Sequence, residues 1–524
     1  MKQFVVVVLL LLAVVERGIE AKPGFDRVPE IAVTSYLYHD ELHRDYHLKK
    51  GVDFVQQQIT KTSNLNENVA KNTILFLGDG MSIPTLAATR VYGVGGEEKA
   101  LSFENFPHVA MSKTYCVDMQ VADSACTATA YLNGVKANYG TIGVSAKVRR
   151  TDCTAGTEKA YHTESIAKWA LNAGKSIGLV TTTRVTHASP AGVYAHTAER
   201  DWENDAEVLN AYCNDQLVDD IAEQLVHGEV GKHLKVIFGG GRRNFVDKSQ
   251  KDEEGNPGSR TDGKNLISEW LNNQHKNEQR KYVWNKHGLL SLQPSANESV
   301  LGLFAPSHCE YNHLIDGISE QIPTLKEMTM KAIEILQTNP NGFFLFVEGG
   351  RIDHGLHDNT AHIAFEETAE FSRAIKLATK MLSTDDTLFV VTADHSHTLT
   401  LGGYPDRGSN IFGIASQGDA DFLPYMKLSF ANGPAYEPKN TSQREDPTKL
   451  AAKMNNYDFL SPVTVPRDQE THGGDDVAIF AMGPHAHLFT GSMEQHTIPH
   501  FMAYASCIGD GITYCNKSKG YGLI

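Results

Sequence analysis

A serine beside a carboxylate opens the run Asp123-Ser124-Ala125-Cys126-Thr127-Ala128-Thr129-Ala130, whose alanine and threonine content predicts a helix beginning at the serine. A serine hydroxyl is a weak nucleophile at neutral pH and needs a base or a metal ion beside it. A helix N-terminus adds unpaired N–H groups suited to an anion. The chain offers no serine-protease partner set, but it carries hard metal ligands in four separate places. These are Gly78-Asp79-Gly80-Met81, the stretch Glu348-Gly349-Gly350-Arg351-Ile352-Asp353-His354-Gly355-Leu356-His357, Thr392-Ala393-Asp394-His395-Ser396-His397, and Thr471-His472-Gly473-Gly474. Together they read as a metal-activated serine that attacks phosphate.

The ligands sort by donor type. Asp353 and His357 stand four apart and share a helix face, and His472, from a glycine-flanked loop, completes a three-ligand set that suits zinc with an open position. Asp394 and His395 with Asp79 form a second nitrogen–oxygen set, close enough to Ser124 to hold it as an alkoxide. Asp79 again, Ser189 and Glu348 are an all-oxygen set, which favours magnesium. Arg200 is a candidate phosphate clamp, since its planar fork matches two phosphate oxygens. Its neighbours Glu199 and Asp201 offer the competing reading of a solvated ion pair. Gly239-Gly240-Gly241-Arg242 lacks the Gly-Lys-Ser/Thr ending of a phosphate loop and reads as a tight packing point.

Something must bring these residues together. Ile74–Leu77, Phe343–Val347 and Thr387–Val391 are short apolar runs followed by glycine or polar clusters, and Ile177–Thr182 is a fourth. They predict buried parallel strands. Helical patterns lie between them, as over Ala361–Met381, so the fold class is α/β. It comprises a central, mostly parallel sheet flanked by helices on both faces, with a small inserted crown region over about 404–465. Asp79, Glu348 and Asp394 each fall at the C-terminal end of a predicted strand, where open α/β sheets bind ligands. Residues about 246–300 are charged and turn-rich and read as peripheral.

The whole chain sets broad limits. Its 524 residues can bury a sizeable core. With 48 basic and 63 acidic residues the net charge is −15, which argues against a nucleic-acid partner. Lys2, the apolar run Phe4–Val15 and the small-residue site near Ala21 predict a secretory leader over 1–21, too short to span a bilayer. The remaining 22–524 reads as a single catalytic domain. Glycosylation triplets start at Asn297, Asn440 and Asn516. Seven cysteines on a secretory route predict three disulfides and one thiol. Cys507 and Cys515 would close a short loop. Cys116 and Cys126 flank the serine run, either as a bridge pinning it, which we favour, or with Cys126 as a buried thiol.

From about residue 70 to Cys515 these motifs resemble those of the alkaline phosphatases, in the animal, secretory-pathway branch; the segment Gly342–Gly355 is especially distinctive. The resemblance implies broad phosphate-monoester hydrolysis at alkaline pH through a phosphoserine on Ser124. It implies one zinc on Asp353, His357 and His472, and another on Asp79, Asp394 and His395. Magnesium would take Asp79, Ser189 and Glu348, with His187 in the shell behind, while Arg200 binds the phosphoryl oxygens. It also implies the bridges Cys153–Cys213 and Cys507–Cys515. Cys309 would then be free, given a Cys116–Cys126 bond. A homodimer follows too, with an arm over 36–62 and Tyr404 reaching the partner.

The chain departs from the pattern at three places. Leu356 stands where relatives usually carry a third histidine; it is not a ligand position, so altered surroundings and retained zinc are expected. Ala305 and Ile322 replace acids of a calcium site, which makes calcium doubtful. No apolar tail follows Cys515, where Lys517 and Lys519 intervene, so a soluble secreted enzyme without a glycolipid anchor is expected. A sulfatase or phosphodiesterase is disfavoured, because Arg200 and the oxygen-only set suit a doubly charged terminal phosphate.

Overall fold

The computed structural model describes residues 44–63, 65–214, 216–273, 279–318, 321–434, 444 and 446–516. The leader, residues 36–43 of the arm, Asn440 and everything beyond Asn516 lie outside them. The chain divides into two units, Met1–Ser63 and Asn64–Ile524. The first contributes a helix over Arg44–Ser63 that exposes Leu48, Val52, Phe54 and Val55.

The second is built on a ten-stranded sheet. Its strands are β1 (Asn72–Gly78), β2 (His108–Lys113), β3 (Ser176–Arg184), β4 (Val236–Gly240), β5 (Gln279–Val283), β6 (Glu298–Leu303), β7 (Phe343–Gly349), β8 (Thr387–Thr392), β9 (Val477–Met482) and β10 (Gly491–Glu494). Their spatial order is β10-β2-β9-β8-β1-β7-β3-β4-β6-β5. Only β9 runs antiparallel to its neighbours. All residues of β1, β7 and β8 are buried, as expected of strands covered on both faces.

Side-chain alternation divides the interior in two. Ile74 and Phe76 join one core with Phe365 and Phe371 of helix α3 (Ala361–Met381); Leu75 and Leu77 join the other with Ala125, Ala128 and Tyr131 of helix α1 (Ser124–Asn133). Helix α2 (Arg351–His357) follows β7 directly. Leu356 is fully buried in the first core, so the residue at the departure point packs and does not line the ligand face.

Leu399–Leu401, just before the expected insertion, forms a three-stranded sheet with Leu428–Gly433 and Val463–Pro466, and within the insertion Ile414–Gln417 pairs with Pro424–Met426. The region 246–300 departs from the sequence expectation, since it supplies β5 and β6 at one side of the main sheet. β5 is an edge strand, so its Gln-Arg-Lys-Tyr-Val sequence need not be apolar. The glycine run before Arg242 is a packing point: a Cβ on Gly240 would lie 2.0 Å from the carbonyl oxygen of Ser307.

Candidate active site

Four adjacent strands, β8-β1-β7-β3, deliver three candidate acidic ligands and one serine to one sheet edge. Asp79 follows β1, Glu348 lies near the end of β7, Asp394 follows β8 by two residues, and Ser189 lies in the short helix after β3. All four are fully buried. Ser124 is the first residue of α1. Asp123 caps that helix by accepting from the Cys126 N–H at 3.2 Å, and Gly134 closes it in a left-handed conformation.

The histidines share one device. His357 Nδ1 donates to the Glu470 carbonyl at 2.5 Å, His472 Nδ1 to the Ala122 carbonyl at 2.7 Å, and His395 Nδ1 to the Ser396 carbonyl at 3.3 Å. Each ring thus spends its proton on a backbone oxygen and turns a bare Nε2 inward. His357 Nε2 and His472 Nε2 lie 3.0 Å apart, and Asp353 oxygens stand 3.4 and 3.5 Å from them. Two acceptor lone pairs at that separation repel unless a cation lies between. Tetrahedral zinc at about 2.0–2.1 Å from each nitrogen sets the nitrogens about 3.3 Å apart. The donor set therefore fits zinc.

The second set closes around Ser124. His395 Nε2 lies 3.3 Å from Ser124 Oγ, 3.1 Å from Asp394 Oδ2 and 3.6 Å from Asp79 Oδ1. Asp394 Oδ1 accepts from the Gly80 and His395 N–H groups at 2.9 and 3.0 Å, while Asp394 Oδ2 and Asp79 Oδ1 are buried without a donor. On the third set, Ser189 Oγ donates to Asp79 Oδ2 at 3.4 Å. Glu348 Oε2 accepts from Thr181 and Thr183, which leaves Oε1 buried and unpartnered. These orphaned oxygens are what divalent cations would complete.

Electrostatics agree. Burial, then the charges of Asp394, Asp353 and Glu348, holds Asp79 well above the carboxylate range. Burial pushes Glu348 up to about 7 and raises Asp394. Burial and His472 keep His395 neutral, well below its ordinary range. Positive ions at the site would reverse the carboxylate shifts.

Arg200 does not pair with Glu199 or Asp201, which take Arg150 instead. Its Nη1 donates to Asp123 Oδ2 at 3.0 Å, and Nη2 faces His187 Nε2 at 3.4 Å. Burial, then the Arg200 and Arg184 charges, holds His187 neutral. Asp123 also accepts from the Gly140 N–H at 3.1 Å. The guanidinium is thus aimed beside Ser124 by a fixed carboxylate.

Two residues escaped the sequence reading. His397 places Nδ1 2.5 Å from Glu470 Oε2 and Nε2 2.6 Å from Asp353 Oδ1. Burial opposes its charge, yet the two carboxylates prevail and push it up to about 10. With a carboxylate at each ring nitrogen, it is placed to donate to Asp353 and to orient it. Glu470, 2% exposed, also accepts from the Thr398 N–H and hydroxyl at 2.7 and 2.6 Å. His397 was legible as the alternate residue of Asp394-His395-Ser396-His397; Glu470 had no sequence signal beyond its place two before His472. Gly80 is required here, with φ +69 and a Cβ that would meet the His397 ring at 2.5 Å.

A cleft of about 740 Å³ opens beside His357 and His472, lined by Val121, Tyr139 and the segment 467–471. The disulfides are Cys116–Cys126, Cys153–Cys213 and Cys507–Cys515, with Cys309 a buried thiol. Asn297 is exposed on a turn, whereas Asn516 spends its side-chain amide on Thr513 and Gly511. Among the described residues no helix is long and apolar enough to cross a membrane.

A sequence model of the family described as alkaline phosphatase matches residues 70–508. The chain is 50% identical over 452 residues to the membrane-bound alkaline phosphatase of Bombyx mori, covering 85% of this chain and 82% of that one. It is 48% identical over 477 residues to an alkaline phosphatase of Gadus morhua, covering 87% and 96%. Its fold is similar to that of the Thermus thermophilus alkaline phosphatase, with a TM-score of 0.60 at 22% identity over 84% of this chain and 92% of that one.

Proposed function

Since the chain belongs to the alkaline phosphatase family and hydrolyses phosphate monoesters, we propose that Ser124 is its nucleophile, within a site holding two zinc ions and one magnesium. One zinc belongs to Asp353, His357 and His472, the other to Asp79, Asp394 and His395; magnesium belongs to Asp79, Ser189 and Glu348, with His187 behind it. The observation that carries this reading is the pair of bare Nε2 atoms of His357 and His472, 3.0 Å apart, with both ring protons committed elsewhere. When bound, the cations supply the charge that activates the serine and a water and stabilises the leaving oxygen.

The chain's own residues do the rest. Ser124 Oγ forms the bond to phosphorus as the ester's P–O bond breaks and the alcohol departs; water then releases phosphate from the serine. Arg200, steadied by Asp123, takes two phosphoryl oxygens. The Ser124 hydroxyl gives its proton to solvent water as this bond forms, and His395, whose Nε2 carries no proton, sets no competing donor against Oγ. Recognition rests on the phosphate, and the open cleft tolerates varied alcohols. Three disulfides support passage through an oxidising compartment; secretion and a homodimer complete the proposal.

Metal analysis with an aryl phosphate assay tests it. Two zinc and one magnesium per chain are expected, with activity lost on chelation and lost by several orders of magnitude in Ser124→Ala. A Ser124→Ala enzyme at the unmodified rate would end the assignment.

A further inference from the structure

Ser124 sits inside a small covalent ring. Cys116 and Cys126, ten residues apart, are bonded to each other and each only 2% exposed, and the nucleophile lies two positions before the second cysteine. The segment between Lys113 and Ser124 has no regular secondary structure. Of its apolar side chains, Val117, Met119 and Val121 are exposed, and Cys116 and Ala122 turn inward. Beneath it lies a cluster of Cys116, Ala122, Cys126 and Ala137, with Tyr139 against it, separate from the two main cores. A few hydrogen bonds add to the bridge: the Val117 N–H to the Ala137 carbonyl and Lys136 Nζ to the Tyr115 carbonyl, both at 3.0 Å, the Tyr139 N–H to Asp118 Oδ1 at 2.8 Å, and the Gly140 N–H to Asp123 at 3.1 Å.

That weakly packed segment delivers three parts of the site in succession. The Ala122 carbonyl takes the His472 proton, Asp123 takes Arg200, and Ser124 carries the nucleophile. From this we propose that the Cys116–Cys126 disulfide is a positioning element of phosphoryl transfer, holding nucleophile, clamp and His472 in one register. The inference rests on the site reading above. Opening the ring removes the covalent tie on this segment and leaves Ala122 and Asp123 held only by the helix cap, Gly140 and their partners in the site, and a shift near 1 Å at reacting groups is enough to slow chemistry about a hundredfold.

The test compares Cys116→Ala/Cys126→Ala with Cys507→Ala/Cys515→Ala, whose bridge spans eight residues and lies outside the site. The first pair is expected to lower kcat about tenfold or more and to raise the inhibition constant of inorganic phosphate similarly, at unchanged zinc content after zinc is supplied in excess. The second pair is expected to change neither by more than about twofold, although both lower Tm. A purely structural bridge would move Tm alone, and that result overturns the proposal. As a second arm, the unmodified enzyme in excess zinc is reduced with a water-soluble trialkylphosphine, which takes an oxygen from water to become its phosphine oxide as the protein pair gains two electrons and two protons. Phosphine and sub-denaturing urea are raised until alkylation shows the 116–126 pair open, with zinc content checked as unchanged. Activity must fall with that pair and not with 507–515; an open pair at full activity again refutes the idea. Ser124→Ala separates the failures: an active Ser124→Ala enzyme defeats the site reading, whereas an inactive one beside a fully active Cys116→Ala/Cys126→Ala enzyme defeats only this inference.

Discussion

Replacing Glu470 with glutamine isolates how the proposed zinc ligands are oriented. Glu470 touches the site twice: its backbone carbonyl takes the His357 proton, and its carboxylate takes the His397 proton and two donors of Thr398. Glutamine keeps the backbone contact and one side-chain oxygen for Thr398. It sets an N–H₂ against His397 Nδ1, where two donors cannot face each other. His397 must then shed its second proton and with it the positive charge that steadies Asp353 2.6 Å away. A hydrogen bond to a charged group is worth about 1.5–3 kcal/mol. Losing such support behind a metal ligand typically weakens affinity about 10–100-fold, or roughly 1.4–2.7 kcal/mol. Competition with a zinc chelator measures this directly. Glu470→Gln should surrender one zinc at a chelator concentration about 10–100-fold below that required by the unmodified enzyme. Saturating zinc should restore kcat, since Glu470 does not reach the substrate. Unchanged chelator sensitivity would show that His397 and Glu470 do not orient the site.

Arg200→Ala should raise KM and the phosphate inhibition constant at least about tenfold, because a charge-assisted pair of bonds to phosphate is removed; steady-state inhibition by phosphate reads both. Burial pushes Glu367 up to about 7, so the folded state holds that proton more tightly than the unfolded chain. The stability it contributes is complete below about pH 4.5 and lost as pH rises through 7, a difference of about 3 kcal/mol. Glu367→Gln cannot ionise and retains an acceptor for the Asn312 N–H, which bonds Glu367 at 2.6 Å. Urea unfolding should find it more stable than the unmodified protein at pH 9 and equal at pH 4.5; parallel pH profiles would refute the assignment. Leu356→Ala should cost about 2–5 kcal/mol by leaving a cavity in the α2–α3 core, with zinc content unchanged by metal analysis.

The strands that build the site were legible because parallel, doubly covered strands are apolar on both faces, as in Ile74-Leu75-Phe76-Leu77. Helix α3 was legible because its apolar stripe recurs along the whole of Ala361–Met381. Asp79, Glu348 and Asp394 were legible because each sits at a strand end, and Asp353 because it stands four before His357 on a helix. What the sequence hid is which partner each polar group chooses. Arg200 has acids on either side in the chain and takes neither, since Asp123, 77 positions away, is fixed by helix capping and by Gly140. β5 was hidden because an edge strand needs only one apolar face.

The two histidines of His395-Ser396-His397 show why spacing alone could not assign the ligands. On an extended chain, residues two apart share a face, so both imidazoles could have met one metal. The antiparallel pairing of Ser396–His397 with His472–Gly473 sets them in different surroundings. His395 meets a carbonyl and a serine, loses its charge to burial and keeps a free lone pair. His397 meets two carboxylates and keeps both protons. One ring is thereby fit to bind a cation and the other to act as one. The distinction lies in the second partner of each ring, supplied by segments that only the folded sheet brings together.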